Sequence, residues 1–320
     1  MTSRRDFIAG LGAAAFSAAL PLHLRALRRF RSAAPFPLSV LTDEISQDFG
    51  HACEIAAREF GLGYVELRAA HGKNIMQWDA NDVAEARGIL QRFHLKVSEL
   101  ASPIFKVSWP GAPPSPAAPS GPQFAADFTY AQQDELLDRA VELAHLFETP
   151  YVRIFDFWRL DDQTPYREAI DDRLRQAARK VGPRGVTLNL ENEAACNTAT
   201  GAEAARLLAA VREQSLKLNW DPGNAAARGE TPYPDGYTKL PKDRIAHMHC
   251  KDIVRKADGT TEWAAMGKGI IDWLGQLRAL KRDGYRGVLS LETHWRGAGT
   301  AEESSRQSMA GFKELLDHVE

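Results

Sequence analysis

The sequence predicts a single (β/α)8 barrel, and two patterns carry that prediction. From about residue 36 onward, short apolar or β-prone runs alternate with segments whose apolar residues recur at helical spacing, which gives eight strand–helix units. Several of these runs end in a side chain that can bind a metal, as expected where the carboxyl ends of parallel strands meet at one face of a barrel. A doubly wound sheet would have fewer strands and a glycine-rich first turn, and no G-x-G-x-x-G motif follows the first strand.

The predicted elements follow one another regularly along the chain. Strands are predicted at residues 38–42, 63–67, 95–101, 151–155, 186–191, 216–221, 245–249 and 288–292. Helices are predicted at residues 47–60, 80–93, 132–148, 165–181, 202–211, 271–282 and 304–318. A loop rich in Pro, Gly and Tyr, at residues 229–237, leads from the sixth strand to the seventh. Parallel strands joined by helices form right-handed crossovers, so this order predicts one barrel domain at residues 35–320.

Composition and charge exclude several classes of protein. The chain has 320 residues, of which 44% are hydrophobic and 26% charged, which is ordinary for a globular protein. A net charge of -2 gives no long-range attraction to nucleic acid, so no nucleic-acid partner is expected. The three cysteines, Cys53, Cys196 and Cys250, are scattered, which argues against a disulfide framework.

The first 34 residues have the features of a targeting segment. Arg4 and Arg5 precede an uncharged stretch, residues 7–22, that is rich in Ala and Gly and short for a membrane-spanning helix. This pattern resembles a twin-arginine signal, which predicts recognition by the twin-arginine export machinery and a periplasmic location. Cleavage is expected after Ala19 or further on, near Ala26 or Ala34. A leader that is never removed is the alternative.

A proline-rich segment follows the third predicted strand. Residues 110–122 hold six prolines in thirteen positions. It could be an interdomain linker, but it lies between the third strand and the next helix, where the loops of a barrel face gather. We therefore predict a long, stiffened active-site loop.

Four successive predicted strands end in possible metal ligands. These are Glu191, Asp221, His249 and Glu292. Carboxylates favour Mn²⁺ or Mg²⁺, whereas the imidazole also admits Co²⁺, Zn²⁺ or Fe²⁺. A structural zinc site would use Cys or more His, so we predict one catalytic divalent ion. The alternative is that these are unrelated polar residues held by helix N-termini or lysines.

Five short motifs make the chain similar to a known family, the sugar phosphate isomerase/epimerase-like TIM barrels of the xylose isomerase type. The motifs are Leu-Glu-Asn at 190–192, Asn-Trp-Asp-Pro-Gly-Asn at 219–224, His-Met-His-Cys-Lys-Asp at 247–252, Gly-Lys-Gly-Ile-Ile-Asp at 267–272 and Leu-Glu-Thr-His at 291–294. The resemblance runs from about residue 38 to 318. It implies that Glu191, Asp221, His249 and Glu292 hold one metal, and that Glu191 and Glu292 also move protons as they do in ketose 3-epimerases. His247 would then lie beside the site or face the substrate.

One position departs from many relatives. They carry Glu-Asn-His after the fifth strand, whereas this chain has Glu-Asn-Glu, which ends at Glu193. The extra carboxylate could bind a substrate hydroxyl, raise the pKa of Glu191 by repulsion, or face solvent. The departure affects the expected substrate more than the expected metal.

Further polar and aromatic residues follow the predicted strands and suit a polyol. Arg, Lys and Asp can hydrogen-bond hydroxyl groups, and aromatic rings stack on the C–H faces of sugars. For the charged residues a loop salt bridge is the alternative, and for the tryptophans it is core packing. The predicted substrate-binding residues are Glu66, Arg68, Lys106, Trp109, Asp156, Trp158, Arg159, Glu193, Asn224, His247, Lys251, His294 and Arg296.

The expected function is a metal-dependent isomerase or epimerase that acts on a keto sugar or related polyol through an enediolate. A lyase on a keto-sugar or keto-inositol, similar to inosose dehydratase, would use the same enolate chemistry and is the alternative. A DNA-repair enzyme like endonuclease IV is a remote third, because that chemistry needs a histidine-rich three-metal cluster and a basic groove. This slightly acidic chain has only nine histidines. Its oligomeric state stays open, and a homo-oligomer is compatible with the sequence.

Overall fold

Eight parallel strands form one sheet that nearly closes on itself. The computed structural model describes residues 35–113 and 128–319. Hydrogen bonds join consecutive strands from the second to the eighth and join the eighth to the first. A further parallel bridge, between Leu41 and Glu66, connects the first strand to the second. The strands are β1 Leu38–Val40, β2 Tyr64–Leu67, β3 Lys96–Leu100, β4 Tyr151–Ile154, β5 Thr187–Glu191, β6 Leu216–Trp220, β7 Ile245–Cys250 and β8 Val288–Leu291. The predicted (β/α)8 barrel is confirmed.

Helices connect the strands, and most begin and end within a few residues of the predicted positions. The first continues into a π-helical stretch, Ile55–Glu59. The helices are α1 Phe49–Glu54, α2 Ala80–Phe93, α3 Gln133–Leu146, α4 Arg167–Val181, α5 Gly201–Ala210, α6 Pro222–Ala227, α7 Tyr237–Lys239, α8 Trp273–Arg282 and α9 Ala301–Asp317. In the described part of the chain, none combines the length and apolar character needed to cross a bilayer.

Helices α6 and α7 and two short hairpins were not predicted. Helix α6 begins directly after β6, where the Asp221 side chain accepts a hydrogen bond from the backbone N–H of Asn224 at 2.9 Å and Pro222 occupies the first helical position. Aspartate before proline is a typical helix start, so the signal was present in the sequence. The hairpins, Ala69–Ala70 with Lys73–Asn74 and Asp252–Arg255 with Thr261–Ala264, follow β2 and β7.

The interior of the barrel is polar and is arranged in two stacked layers. Side chains two positions apart on a strand point to the same face. On each of the strands β5 to β8, the predicted metal ligand therefore lies above another polar residue of the same strand. The deeper residues are Asn189, Asn219, His247 and Ser290, each 0% exposed. The residues between the layers, such as Leu190, Trp220, Met248 and Leu291, belong to the hydrophobic core shared with the helices.

Two predicted features lie outside the described residues, wholly or in part. The twin-arginine signal at residues 1–34 is one of them, with its expected cleavage positions. The other is the proline-rich loop, of which residues 114–122 are not described. Both stay predictions.

Close packing around α9 gives a stability test. A Cβ atom at Gly311 would overlap the carbonyl oxygen of Met266, a backbone atom that cannot rotate away. We expect Gly311→Ala to lower the free energy of unfolding by about 1–3 kcal/mol. Gly88 in α2 is the matched control, because a Cβ there meets no atom within 4 Å. Gly88→Ala should raise stability by about 0.5–1 kcal/mol. Urea unfolding measures both, and equal effects of the two substitutions would contradict this account of the packing.

Candidate metal centre

The four predicted metal ligands come together at the carboxyl ends of β5, β6, β7 and β8. Glu191, Asp221, His249 and Glu292 each offer one ligand atom, and these four atoms lie within 4.8 Å of one another. Each of these residues is 1% exposed or less. The convergence follows from the topology, because these four strands are consecutive neighbours in the barrel.

The ring of His249 faces the three carboxylates of the predicted metal site with its Nδ1 atom. Its Nδ1 atom lies 3.1 Å from Glu292 Oε2, 3.3 Å from Glu191 Oε1 and 3.9 Å from Asp221 Oδ2. Its Nε2 atom lies 3.0 Å from Glu66 Oε1, on the other side of the ring. A histidine that binds a metal commonly donates its second ring N–H to a carboxylate, which fixes the ring orientation and the tautomer. Glu66 is placed to do this for His249.

The ammonium group of Lys251 lies among the three carboxylates of the predicted metal site. Lys251 Nζ lies 2.6 Å from Glu292 Oε2, 2.7 Å from Asp221 Oδ2 and 4.0 Å from Glu191 Oε1. Three carboxylates gathered around one charged nitrogen form a cavity suited to a cation. With the imidazole of His249 as a fourth donor, the set fits a divalent ion of the Mn²⁺, Mg²⁺, Co²⁺, Zn²⁺ or Fe²⁺ group. The residues present therefore fit the predicted metal.

Nearby cations keep two of the carboxylates ionised. Burial raises the pKa of Glu191, but the charges of His249 and Arg153 outweigh burial and hold that pKa below its usual range. Burial likewise raises the pKa of Glu292, and the charge of Lys251 is the main influence that brings it well below its usual range. Asp221 differs, because burial raises its pKa to about 7 and the attraction of Lys251 offsets only part of that rise.

Glu66 in strand β2 and Arg68 directly after it contact the predicted metal ligands. Glu66 is fully buried against His249. Arg68 donates to Glu292 Oε1 at 2.8 Å and also to Glu44 Oε1 at 2.7 Å. Their contacts position the ligands, and their predicted role in substrate binding remains untested.

Glu193 forms an ion pair across the mouth of the barrel. Its Oε2 atom lies 2.8 Å from Nζ of Lys106, which is 7% exposed. The sequence left three possible roles for Glu193: substrate binding, repulsion of Glu191, or exposure to solvent. The ion pair with Lys106 shows that the carboxylate is not simply exposed to solvent. Repulsion by Glu193 does not decide the pKa of Glu191 either, since that pKa is lowered. The binding of substrate hydroxyl groups by these two residues stays a prediction.

The residues after β4 hold the loop that follows β5. Asp156, 1% exposed, accepts a hydrogen bond from the backbone N–H of Thr198 at 2.9 Å. Arg159 pairs with Glu203 at 2.6 Å. The ion pair of Arg159 corresponds to the loop salt bridge that was the alternative to substrate binding for the charged residues. A direct role for either residue stays a prediction.

The two predicted tryptophans pack mainly against other rings. Trp109 is half-buried and lies 4.8 Å from the ring centroid of Phe157 and 5.8 Å from that of Tyr130. Trp158 is 9% exposed and clusters with Phe155 and Cys196. Trp109 retains accessible surface through which a sugar could stack, whereas Trp158 offers little.

The remaining predicted substrate-binding residues lie in three places: beside the metal ligands, at the mouth of the barrel and in its deeper layer. Asn224 donates from Nδ2 to Glu191 Oε1 at 3.0 Å and to Asp221 Oδ2 at 3.1 Å, so it orients two ligands. His294 lies at the mouth, with Nε2 3.7 Å from Glu292 Oε1. Arg296 also lies there, paired with Glu44 at 2.6 Å. His247 is fully buried in the deeper layer, away from the mouth.

Sequence reasoning missed three charged residues that support the site. Glu44 contacts the guanidinium groups of Arg68 and Arg296 and the Nδ1 atom of His294. Arg153 reaches Glu191 Oε2 at 3.0 Å, and Glu99 accepts hydrogen bonds from Asn189 and Asn219 at 2.6 and 3.0 Å. A signal existed for the last two. Each is a charged residue inside a short buried strand, and a buried charge needs an interior partner.

Fold and site together define a class, a (β/α)8 barrel with a buried carboxylate–histidine cluster at the carboxyl ends of its strands. The model of the xylose isomerase-like TIM barrel family matches residues 55–315. The chain belongs to that family. Among curated proteins, none matches the sequence significantly.

Three solved structures illustrate the similarity of fold. The probable 3-DHS dehydratase AsbF from Bacillus anthracis, involved in petrobactin synthesis, is 21% identical with a TM-score of 0.67, over 88% of this chain and 98% of that chain. The IOLI protein with a bound zinc atom is 18% identical with a TM-score of 0.68, over 89% and 99% of the two chains. A D-tagatose 3-epimerase-like protein is 18% identical with a TM-score of 0.65, over 89% and 98%. At sequence identities this low, the similarity shows a shared fold and nothing about the activity.

The position of Lys251 predicts its effect on metal affinity. Its ammonium group contacts oxygens of Asp221 and Glu292, which a metal ion would also use, so the two compete. We expect Lys251→Met to bind Mn²⁺ at least about tenfold more tightly than the wild type, which corresponds to about 1.4 kcal/mol. Titration calorimetry on the metal-free protein measures this. Lys256→Met, which removes an exposed lysine, is the control of equal charge. Unchanged or weaker binding by Lys251→Met would refute the competition.

The buried Asp156 predicts a dependence of stability on pH. Burial raises its pKa from 3.8 to about 6. Between these values the folded chain keeps a proton that the unfolded chain releases, so this residue lowers the free energy of unfolding as pH rises from 4 to 6, and its effect is constant above that. Asp156→Asn cannot ionise. It should therefore be more stable than the wild type by about 2–3 kcal/mol at pH 7.5, with the difference fading toward pH 4.

Urea unfolding at pH 4.5, 6 and 7.5 measures this difference. Asp235→Asn, at an exposed position, controls for the general effect of removing a charge. A stability difference between Asp156→Asn and the wild type that does not change with pH would show that Asp156 ionises normally.

Proposed function

We propose that the chain is a divalent-metal-dependent isomerase or epimerase that acts on a keto sugar or related polyol through an enediolate. The observation that carries the proposal is the placement of two buried carboxylates, Glu191 and Glu292, at the two ends of the four-strand arc β5 to β8 around the candidate cation site. Membership of a family whose named relatives include an epimerase-like protein and a probable dehydratase supports enzymatic activity.

The metal would be held by Glu191, Asp221, His249 and Glu292. When bound, the divalent ion supplies positive charge that stabilises the oxygens of an enediolate, an effect of several kcal/mol. Removing a proton from a carbon next to a carbonyl is otherwise slow, because the negative charge that develops has no partner. The zinc atom bound by the IOLI protein supports a metal of this kind but does not decide its identity.

The side chains of the site would move the protons. The pKa values of Glu191 and Glu292 lie below the usual range, so either carboxylate is ready to remove a proton from the substrate carbon. The other would take a proton from a substrate hydroxyl and deliver it to the opposite face of that carbon, which inverts its configuration. The first carboxylate would then give the proton it removed to the hydroxyl oxygen, so that both carboxylates end ionised. Arg153 and Arg68 contact these two carboxylates and hold them in place. The predicted acid–base pair is thus supported by its surroundings.

Residues at the mouth suit a small polyol. Lys106 and Glu193 form one polar edge, and His294 and Arg296 form another. Trp109, on the segment after β3, has a half-buried ring that keeps some accessible surface. We propose these residues as substrate ligands. Nucleic acid remains an unfavoured substrate, because the net charge of -2 offers no attraction to phosphate.

A lyase is the second candidate, and one observation favours it. Expelling a β-hydroxyl from the same enediolate needs a proton donor at the leaving oxygen. His294 lies at the mouth, with Nε2 3.7 Å from Glu292 Oε1, where it could protonate such a group. Loss of water from the product would distinguish this reaction from epimerisation.

We also propose export by the twin-arginine route to the periplasm. This proposal rests on the sequence of residues 1–34, where Arg4 and Arg5 precede the uncharged stretch. A folded barrel that carries its metal is a suitable cargo for that route. Replacing both arginines with lysine should retain the protein in the cytoplasm, and unchanged export would contradict the proposal.

Deuterium exchange tests the proposed reaction most simply. The manganese-loaded protein is incubated in D₂O with a panel of keto sugars, and deuterium at the carbon next to the carbonyl is measured by NMR. We expect exchange with at least one sugar, and a loss of about 100-fold or more in Glu191→Gln and in Glu292→Gln. Glu314→Gln, at an exposed position on α9, should exchange at the wild-type rate. No exchange across the panel, or near-normal exchange in either active-site variant, would refute the assigned chemistry.

A further inference from the structure

A second cluster of possible metal ligands lies directly below the first. It consists of Glu66, Glu99, His247 and His249, whose ligand atoms all lie within 4.8 Å of one another. All four residues are 0% exposed. The cluster belongs to the deeper part of the barrel interior, and the first cluster reaches it only through the shared ring of His249. The proton chemistry proposed above uses neither Glu99 nor His247.

Several atoms of this deeper layer lack a hydrogen-bond partner among the described residues. Both ring nitrogens of His247 are buried and unpaired, and so is Oε2 of Glu66. The same holds in this layer for Asn189 Oδ1, Asn219 Oδ1 and Ser290 Oγ. Proteins rarely leave buried polar atoms unpaired, and an imidazole with neither nitrogen paired is especially unusual. The concentration of such atoms in one layer of the barrel interior indicates a bound species there.

The distances between these atoms indicate which species it is. His247 Nδ1 lies 3.6 Å from Glu99 Oε2, His247 Nε2 lies 4.0 Å from Glu66 Oε2, and His249 Nε2 lies 3.0 Å from Glu66 Oε1. A bridging water with hydrogen bonds of about 2.8 Å would hold its two partners about 4.6 Å apart. Two ligands at about 2.1 Å from a tetrahedral metal lie about 3.4 Å apart. The 3.6 Å between His247 Nδ1 and Glu99 Oε2 is close to that value and shorter than a water bridge requires.

The support around Glu99 is also typical of a metal ligand. Its Oε1 atom accepts a hydrogen bond from Asn189 Nδ2 at 2.6 Å, and its Oε2 atom accepts one from Asn219 Nδ2 at 3.0 Å. Hydrogen bonds of this kind orient a ligating carboxylate and are a regular part of metal sites. Glu99 is therefore held in one orientation, with its carboxylate toward His247.

We infer that the deeper cluster binds a divalent cation of its own, beneath the proposed catalytic one. An imidazole with two carboxylates, from His247, Glu66 and Glu99, suits Zn²⁺ or Fe²⁺ better than Mg²⁺. The ring of His249 then lies between the two cation sites, with Nδ1 toward the upper ion and Nε2 hydrogen-bonded to Glu66, a ligand of the lower ion. Because every ligand of the lower site is buried, its ion exchanges with solvent only when the barrel opens. The lower ion thus holds β2, β3 and β7 together and fixes the ring that serves the upper site.

Metal stoichiometry tests this inference, with Zn²⁺ as the probe. The full chain is refolded with excess Zn²⁺, gel-filtered and analysed by mass spectrometry of its metal content. We expect two equivalents in the wild type, and one in each of two variants: Glu99→Gln, which alters only the lower site, and Asp221→Asn, which alters only the upper. EDTA under native conditions should remove one equivalent from the wild type within minutes and leave the other until the protein is unfolded.

The stoichiometry also separates this inference from the proposed function. One equivalent in the wild type that Glu99→Gln keeps and Asp221→Asn loses would overturn the inference. So would complete removal of zinc by EDTA from the folded wild type, a measurement that needs no variant to fold. Two equivalents without any deuterium exchange would contradict the proposed reaction but leave the second site standing.

Discussion

Charge balance inside the barrel is the constraint on which the structure depends. The interior holds carboxylates on β2, β3, β5, β6 and β8, and a carboxylate removed from water is stable only beside a positive charge or with its full set of hydrogen bonds. Arg68, Arg153 and Lys251 supply part of that charge from the protein itself. Divalent cations would supply the rest. The barrel interior is therefore a network of charged groups that could hold cations, unlike the many barrels whose interiors are filled with branched apolar side chains.

The same alternation of side chains explains both the site and its support. Because residues two positions apart share a face, each strand from β5 to β8 contributes one residue to the mouth and one to the layer beneath. The two histidines of β7 illustrate this. The ring of His249 faces the three carboxylates at the mouth. The ring of His247 lies beside Glu66 and Glu99 in the layer beneath. The residues of the proposed catalytic site and the residues that support them thus form one continuous polar network. This network runs from Glu44 at the rim through Arg68 to Glu292 and the centre of the barrel.

The sequence was sufficient for the barrel and for the convergence of Glu191, Asp221, His249 and Glu292, because both follow from local patterns. Strand ends can be read from short apolar runs, and parallel strands must bring those ends to one face. The sequence was insufficient for Arg153, Glu99 and Glu44, since their partners lie across the barrel and the strand register decides which of them meet. Helix α6 was overlooked although Asp221 and Pro222 mark its start, because the nearby glycines and prolines suggested only a loop. The substrate depends on loop contacts that no local pattern encodes.

A crystal of the protein soaked with Mn²⁺ and measured at the manganese absorption edge tests the central claim most directly. The account predicts an anomalous peak within coordination distance of Glu191, Asp221, His249 Nδ1 and Glu292, with the ammonium group of Lys251 moved away from Asp221 and Glu292. A map with no peak there, and with Lys251 still bonded to both carboxylates at high Mn²⁺ concentration, would contradict it. The lysine would then be the permanent cation of the site, and a metal-dependent reaction would have no place in this barrel.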